Sequence, residues 1–220
     1  PLLPYEACNL GSINLSNFVD SKKIDYGRLR KTIHSAVHFL DNVIDMCSYP
    51  LKENKKIVGK NRKIGLGVMG FADMLIKMGI AYDSEEGLKT AEETMKFISK
   101  EASAASIELA TKRGPFPEWK NSAYNKKLRL RNATRTTIAP TGTISIIADV
   151  SSGIEPLFAL SYARKTAEGK TLTYFDKNLK KALIENRIYN DEIIEKINKE
   201  GSIKNIDDIP KRIRKIFVVG

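Results

Sequence analysis

Two long helical stripes, separated by short apolar runs that end on glycine or proline, constrain this chain more than any other feature. From Asp25 or Tyr26, apolar residues recur at Leu29, Ile33, Val37, Leu40, Ile44 and Cys47, up to Pro50. That spacing predicts an amphipathic helix of about six turns. On this stripe Cys47 is expected to be a packed, inert thiol. A second stripe, Leu88, Ala91, Met95, Ile98, Ala102, Ala105 and Leu109, starts after Asp83-Ser84 with Glu85 and Glu86 in its first turn. It ends near Gly114-Pro115. Around these stand an extended segment over 5–19, a polar connection from Lys52 to Arg62, the run "KIGLGVMGFADMLIKMGI", and "ATRTTIAP", which is β-prone and stops at Pro140. Asp176 to Val219 reads as two or three short basic helices with a loop around Gly201. Helices alternating with short strands predict a mixed α/β domain.

A chain of 220 residues with 42% hydrophobic and 29% charged residues can bury a substantial core, which excludes disorder as a whole-chain reading. No apolar run is long enough to cross a bilayer, and "PLLPYEACNLGS" has neither the basic nor the apolar part of a signal peptide. It also lacks a start methionine, so the sequence is expected to begin inside a longer reading frame or a processed product. Two cysteines without metal-ligand spacing point to a reducing cytoplasm, and no metal site is expected. His34 and His38 stand four residues apart and could chelate an ion. With no third ligand nearby, the flank of an amphipathic helix is the favoured reading. The net charge of +11 suits an anionic partner, yet the interleaved Asp and Glu of "KKALIENRIYNDEIIEKINKE" describe solvated helix faces rather than a nucleic-acid platform.

Three places could carry chemistry. Gly65, Gly67 and Gly70 match G-x-G-x-x-G, but the polar "ENKKIVGKNRKI" before them makes a poor buried strand, and close packing accounts for the glycines. The turn Pro140, Thr141, Gly142, Thr143, Ile144, Ser145 lies between the strand end Thr136-Thr137-Ile138 and a helix start at Ile144 to Ala148. Such a corner offers unpaired amides, a positive dipole end and two hydroxyls to a phosphate, with Gly142 permitting close approach. A plain capped helix with Thr141 or Thr143 as N-cap fits the same residues equally well. Cys8 sits in an Asn- and Ser-rich extended segment rather than on an apolar stripe, which admits a reactive thiol, although no base stands beside it in sequence.

Taken together, "LLPYEACNLGSINLSNF", "FLDNVID", "RKIGLGVMGFADML", "NATRTTIAPTGTISIIADVSSGIEPLFALSYAR" and "GSIKNIDDIPKRIRKIFV" resemble, in this order, the catalytic subunit of ribonucleotide reductase. The resemblance is greatest to the vitamin-B12-dependent class II enzymes and covers nearly the whole chain. It implies part of a ten-stranded α/β barrel, the second half, with surrounding helices: barrel strands and helices over 1–175 and peripheral helices over 176–220. It implies reduction of a nucleoside di- or triphosphate by thiyl-radical chemistry, with adenosylcobalamin as cofactor and a thioredoxin-like reductant. Cys8 would be one member of the redox dithiol, and Pro140 to Ser145 would hold the substrate's phosphates.

The resemblance puts the family's radical cysteine, in an N-P-C-G-E loop, just before Pro1, and the partner of Cys8 in the first barrel half. The chain is therefore expected to be an interior segment, inactive alone, that works with that first half in the same or a separate chain, the complete enzyme being a homodimer. Two other readings stand beside this one. A class I large subunit shares the barrel but takes its radical from a metal-containing subunit. A non-catalytic basic module would bind nucleic acid or serve in assembly.

Overall fold

The computed structural model describes residues 2–165 and 171–220. In chain order its elements are β1 (Asn9–Asn14), a 3-10 turn (Leu15–Phe18), β2 (Val19–Asp20), β3 (Lys23–Ile24), α1 (Tyr26–Met46), α2 (Lys52–Asn61), β4 (Ile64–Met69) and α3 (Phe71–Met78). There follow α4 (Glu85–Arg113), a second 3-10 turn (Pro117–Asn121), α5 (Gly142–Ile147), β5 (Ser161–Lys165), β6 (Thr171–Phe175), α6 (Lys177–Glu185), α7 (Asp191–Glu200) and α8 (Lys211–Ile216). These elements form two units, one of Pro1–Asn14, Asp25–Met69 and Ala91–Thr141, the other of Leu15–Ile24, Gly70–Thr90 and Gly142–Gly220.

In the first unit α1 begins where Asp25 accepts a bond from the Arg28 amide, and its stripe of Leu29, Ile33, Val37, Leu40 and Ile44 is buried. It covers one face of a short parallel sheet. β1 pairs with β4 in register from Asn9–Ile64 to Asn14–Met69. Residues 134–137 join on the other side of β4 through the Ile64 and Leu66 amides, the Thr137 amide and a Leu66–Thr136 bridge. All six residues of β4 are buried, as expected of a central strand covered on both faces.

One carboxylate gathers this unit. Asp41, fully buried on the α1 stripe, accepts bonds from Arg62 Nε and Nη2 at 2.9 and 2.8 Å and from Asn132 Nδ2 at 2.9 Å. Arg131 Nε and Arg113 Nη1 reach its other oxygen at 3.3 and 3.4 Å. Arg62 also spans to Asp45. Its backbone is left-handed, φ 47°, at the C-cap of α2, a position that glycine would occupy with less strain. That cap aims the guanidinium back at α1.

Three expectations need correction. Lys52 to Arg62 is a helix with a left-handed cap, not a connection, because the single buried Val58 suffices to dock a helix that is otherwise polar. Cys47 is exposed rather than packed: α1 stops at Met46, and Cys47 turns extended at φ −71°, ψ 134°, which takes it off the stripe. Leu88, in the first turn of α4, is also exposed, whereas Ile98, Ala102, Ala105 and Leu109 are buried as the spacing predicts.

The second unit is built on a core of buried Leu and Ile. Leu179 and Leu183 of α6 and Ile193 and Ile197 of α7 repeat four residues apart. Ile203, Ile206, Ile209 and Ile213 return every third or fourth residue through the loop into α8. Asn190 caps α7, and Gly201 ends it in the left-handed conformation, φ 67°. Asp73 of α3 is buried and accepts from the Ser151 amide at 2.7 Å and from Asn178 Nδ2 at 2.8 Å, tying α3 to the "SSG" segment and to α6. Asp176 caps α6 through its Oδ1, but its Oδ2 is buried with no hydrogen-bond partner. Burial pushes this carboxyl up to about 6, with the Leu179 amide opposing and the charge of Asp73 adding.

Two outcomes follow from these groups. Asp41→Asn keeps the shape but removes one of the two counter-charges of Arg62, leaving Asp45, and it should lower unfolding stability by about 1–3 kcal/mol in urea titrations. Asp176 has a folded pKa above its unfolded one. The stability it contributes is therefore fully present below about pH 4 and is lost as pH rises through about 6. Asp176→Asn retains the cap and removes the ionisation. The variant should gain on the wild type by up to about 3 kcal/mol between pH 4 and pH 7, measured by denaturation at each pH.

Candidate active site

Strand alternation decides what Cys8 faces. Asn9 Nδ2 donates to the Leu40 carbonyl, and a Cβ on Gly11 would touch the Leu40 side chain, so Asn9, Gly11 and Ile13 look toward α1. Cys8, Leu10 and Ser12 therefore share the opposite face. On β4 that face carries Gly65 and Gly67. A Cβ at Gly65 would stand 2.6 Å from Leu10 Cδ2 and 3.0 Å from a Thr137 methyl, and one at Gly67 would stand 3.0 Å from the Thr137 carbonyl oxygen. The glycines of "GLGVMG" thus clear a path along a central strand for its neighbours' side chains. The helix before them, α2, is no βαβ strand, so nothing of a dinucleotide fingerprint survives.

Cys8 is half-buried, with Sγ 3.6 Å from the Asn9 carbonyl. One strand over, Lys63 Nζ lies 2.6 Å from Glu6 Oε2, and Asn61 Nδ2 donates to Glu6 Oε1 at 2.7 Å. Burial pushes the Cys8 thiol up, the Glu6 carboxylate pushes it the same way, and the Lys63 ammonium works against both. At neutral pH Cys8 is a thiol rather than a thiolate.

The Pro140 to Ser145 corner divides at the unit boundary. Pro140 is exposed and closes the first unit's last strand, while Thr141 is buried with φ 55°, an outlying conformation for a β-branched residue. In the second unit, α5 starts at Gly142, where an added Cβ would meet nothing within 4 Å. Thr143 and Ile144 are exposed in this first turn. Ser145 is different: it is 1% exposed, and its Oγ contacts the Gly142 carbonyl at 3.2 Å and Ser152 Oγ at 2.8 Å. Its hydroxyl fixes the helix turn, while Gly142 and Thr143 are exposed.

A cavity of about 490 Å³ opens beside α5, lined by Ser145, Asp149, Glu155, Phe158, Tyr162 and Tyr174 among others. Tyr162 and Tyr174, paired across β5 and β6, stack at 4.8 Å. Burial and the charges of Asp176 and Asp149 raise the Tyr174 hydroxyl well above its ordinary range. Asp149 and Glu155 make this cavity a poor seat for phosphate. Sequence reading missed the tyrosine pair, because only the hairpin register brings residues 12 apart face to face. His34 and His38 have partners of their own, Glu101 at 3.2 Å and Arg113 at 3.0 Å, as a helix flank would. Among the described residues no three His, Cys, Asp or Glu side chains converge as metal ligands.

Comparison with known proteins matches residues 1–130 and 127–219 to the ribonucleotide reductase barrel domain. The chain belongs to the ribonucleotide reductase barrel family. It is 50% identical over 220 residues to the vitamin B12-dependent ribonucleoside-diphosphate reductase of Thermoplasma acidophilum, covering 99% of this chain and 28% of that protein. It is 42% identical over 217 residues to the Mycobacterium tuberculosis enzyme of the same name, covering 99% and 31%. Among solved structures, the Actinobacillus ureae class Id ribonucleotide reductase alpha subunit aligns with a TM-score of 0.79 and 27% identity, over 96% of this chain and 38% of that one. The chain thus spans under a third of the length of these two curated relatives, and its mixed α/β fold is that of the family. No described helix is long and apolar enough to cross a membrane.

The charges around the thiol can be tested directly. Glu6→Gln should speed alkylation of Cys8 by iodoacetamide at pH 8 by about threefold, and Lys63→Met should slow it, read by mass spectrometry of the Cys8 peptide. Equal rates in all three proteins would remove both groups from the account.

Proposed function

We propose that this chain contributes one redox thiol and the substrate's phosphate grip to an enzyme that reduces ribonucleoside diphosphates, or triphosphates, to deoxyribonucleotides. The observation that carries this reading is the barrel-family match running through essentially the whole chain, with relatives whose printed names are ribonucleoside-diphosphate reductases. Cys8 acts in a dithiol with a second cysteine. The pair closes to a disulfide, giving two electrons and two protons as the 2′-hydroxyl leaves as water and hydrogen takes its place. A thiol held protonated by burial suits that step, because proton and electrons must leave together. A thioredoxin-like reductant then reopens the disulfide.

The substrate's diphosphate rests on the Pro140–Ser145 corner, against the first amides of α5 and the Thr143 hydroxyl. The strained Thr141 turns the chain so that these donors face outward, and Ser145 locks the turn from beneath. The relatives' printed names are those of vitamin B12-dependent enzymes, and adenosylcobalamin is the form assigned to the complete enzyme in this reading. Both imidazoles of this chain are already committed to Glu101 and Arg113, so neither suits a cobalt ion, and the chemistry assigned here runs through the chain's own thiol and amides. Likeness to a class Id alpha subunit favours one second reading, a class I catalytic subunit whose radical comes from a partner, which activity without cobalamin would reveal.

In the complete enzyme, Cys8→Ser should abolish multiple turnover with a protein reductant while leaving nucleotide affinity within about twofold. Thr143→Val should weaken substrate binding by about tenfold, the scale of one hydrogen bond to a charged group. A wild-type steady-state rate for the first variant, or an unchanged dissociation constant for the second, would overturn the corresponding assignment.

A further inference from the structure

We propose that a cavity in the second unit, between the β2–β3 turn, α3, α6 and α8, binds a small di- or triphosphate anion. None of its lining comes from the Pro140–Ser145 corner or from Cys8. The cavity holds about 640 Å³, room for a nucleotide-sized ligand. Four cations from four separate elements line it: Lys22, Lys77, Lys181 and Arg212. Glu185 is the one carboxylate in the lining, and it meets Lys181 only at 3.8 Å, with both side chains well exposed, a pairing of little strength.

What marks the cavity is that its cations come from separate elements, whereas several others of the unit sit on acids: Lys196 between Glu192 and Asp208, Lys177 on Asp149, Arg214 on Asp207. In the cavity Lys77 Nζ donates to the Ser16 carbonyl at 2.8 Å and Arg212 to the Asn186 carboxamide oxygen, and among the described residues neither has a carboxylate partner. Lys22 projects from a two-residue hairpin turn in which Ser21 and Lys22 have φ 47° and 62°. Asn-Gly is the usual choice there, so this turn carries backbone strain and a cation together. Burial holds the Lys77 ammonium below the ordinary lysine range; the charges of Lys177 and Lys181 add to this, while Asp73 opposes. Cations brought together without matching acids repel one another, and in a concave wall they focus a field that a multivalent anion neutralises. The apolar remainder of the lining, including Val19, Ile76 and Ile213, leaves space for a nucleoside attached to the phosphates.

The test is lysine acylation footprinting on the full chain, with tripolyphosphate and, separately, ADP as probes. Tripolyphosphate should slow labelling of Lys22 and Lys181 by about fivefold while leaving exposed Lys96 and Lys199 unchanged, as expected of a local field rather than net charge. The double variant Lys22→Glu, Lys181→Glu changes two exposed side chains and should weaken binding measured by calorimetry about tenfold or more, whereas Lys96→Glu, Lys199→Glu, with the same change of charge away from the cavity, should leave it within about twofold. Tighter protection by ADP than by tripolyphosphate identifies a nucleotide as the guest, and the reverse a free polyphosphate; both support the site. Equal protection of all four lysines, protection by duplex DNA alone, or an unchanged affinity in the double variant overturns it.

Discussion

Asp41 receives three guanidinium groups and a carboxamide from separate stretches of chain, and the first unit is organised around that convergence. Burying so much charge is costly, and an apolar cluster of equal volume could hold as well. What the charges supply is direction. Arg62 must leave α2 in a left-handed cap, Arg131 and Asn132 must lead into the segment 134–137 at one angle, and Arg113 must end α4 beside α1. A packed apolar residue tolerates several rotamers, whereas a carboxylate with its acceptor sites filled tolerates one arrangement.

That arrangement sets the sheet on which Cys8 stands. Asn132 Nδ2 bonds both Asp41 and the Arg62 carbonyl, so the strand that follows lies beside β4, and Gly65 and Gly67 admit its Thr137. Cys8 is thereby held near Lys63, one strand over, and Glu6, two residues before it: burial and Glu6 keep the thiol protonated, and the Lys63 charge works against both. The second unit follows a different economy. Its core is nearly all Leu and Ile, its polar ties run through Asp73, and Asp176, the one acid with an unpartnered buried oxygen among the described residues, makes its stability depend on pH.

Much of the framework could be read directly. The α1 stripe, the Asp83-Ser84 start of α4 and the basic helices after Asp176 follow from spacing and capping alone, because those signals are local, while the β-prone run before Pro140 makes only a single bridge, Leu66–Thr136. Reading failed where a distant partner overrides local preference. The Lys52 to Arg62 segment looks like a loop by polarity and is a helix because Val58 docks and Arg62 reaches Asp41. Cys47 keeps the helical period one residue beyond the helix itself.

The residues determined by themselves that this would be an α/β chain, that a hydroxyl-rich turn would separate a strand from a helix, and, through long shared motifs, which family it would join. Tertiary structure alone decided that Ser145 points inward while Thr143 points out, that two tyrosines stack across a hairpin, and that four scattered cations line one cavity. The reason is physical: periodicity encodes which face of an element is apolar, but register and the meeting of charges depend on chain brought back from far along the sequence.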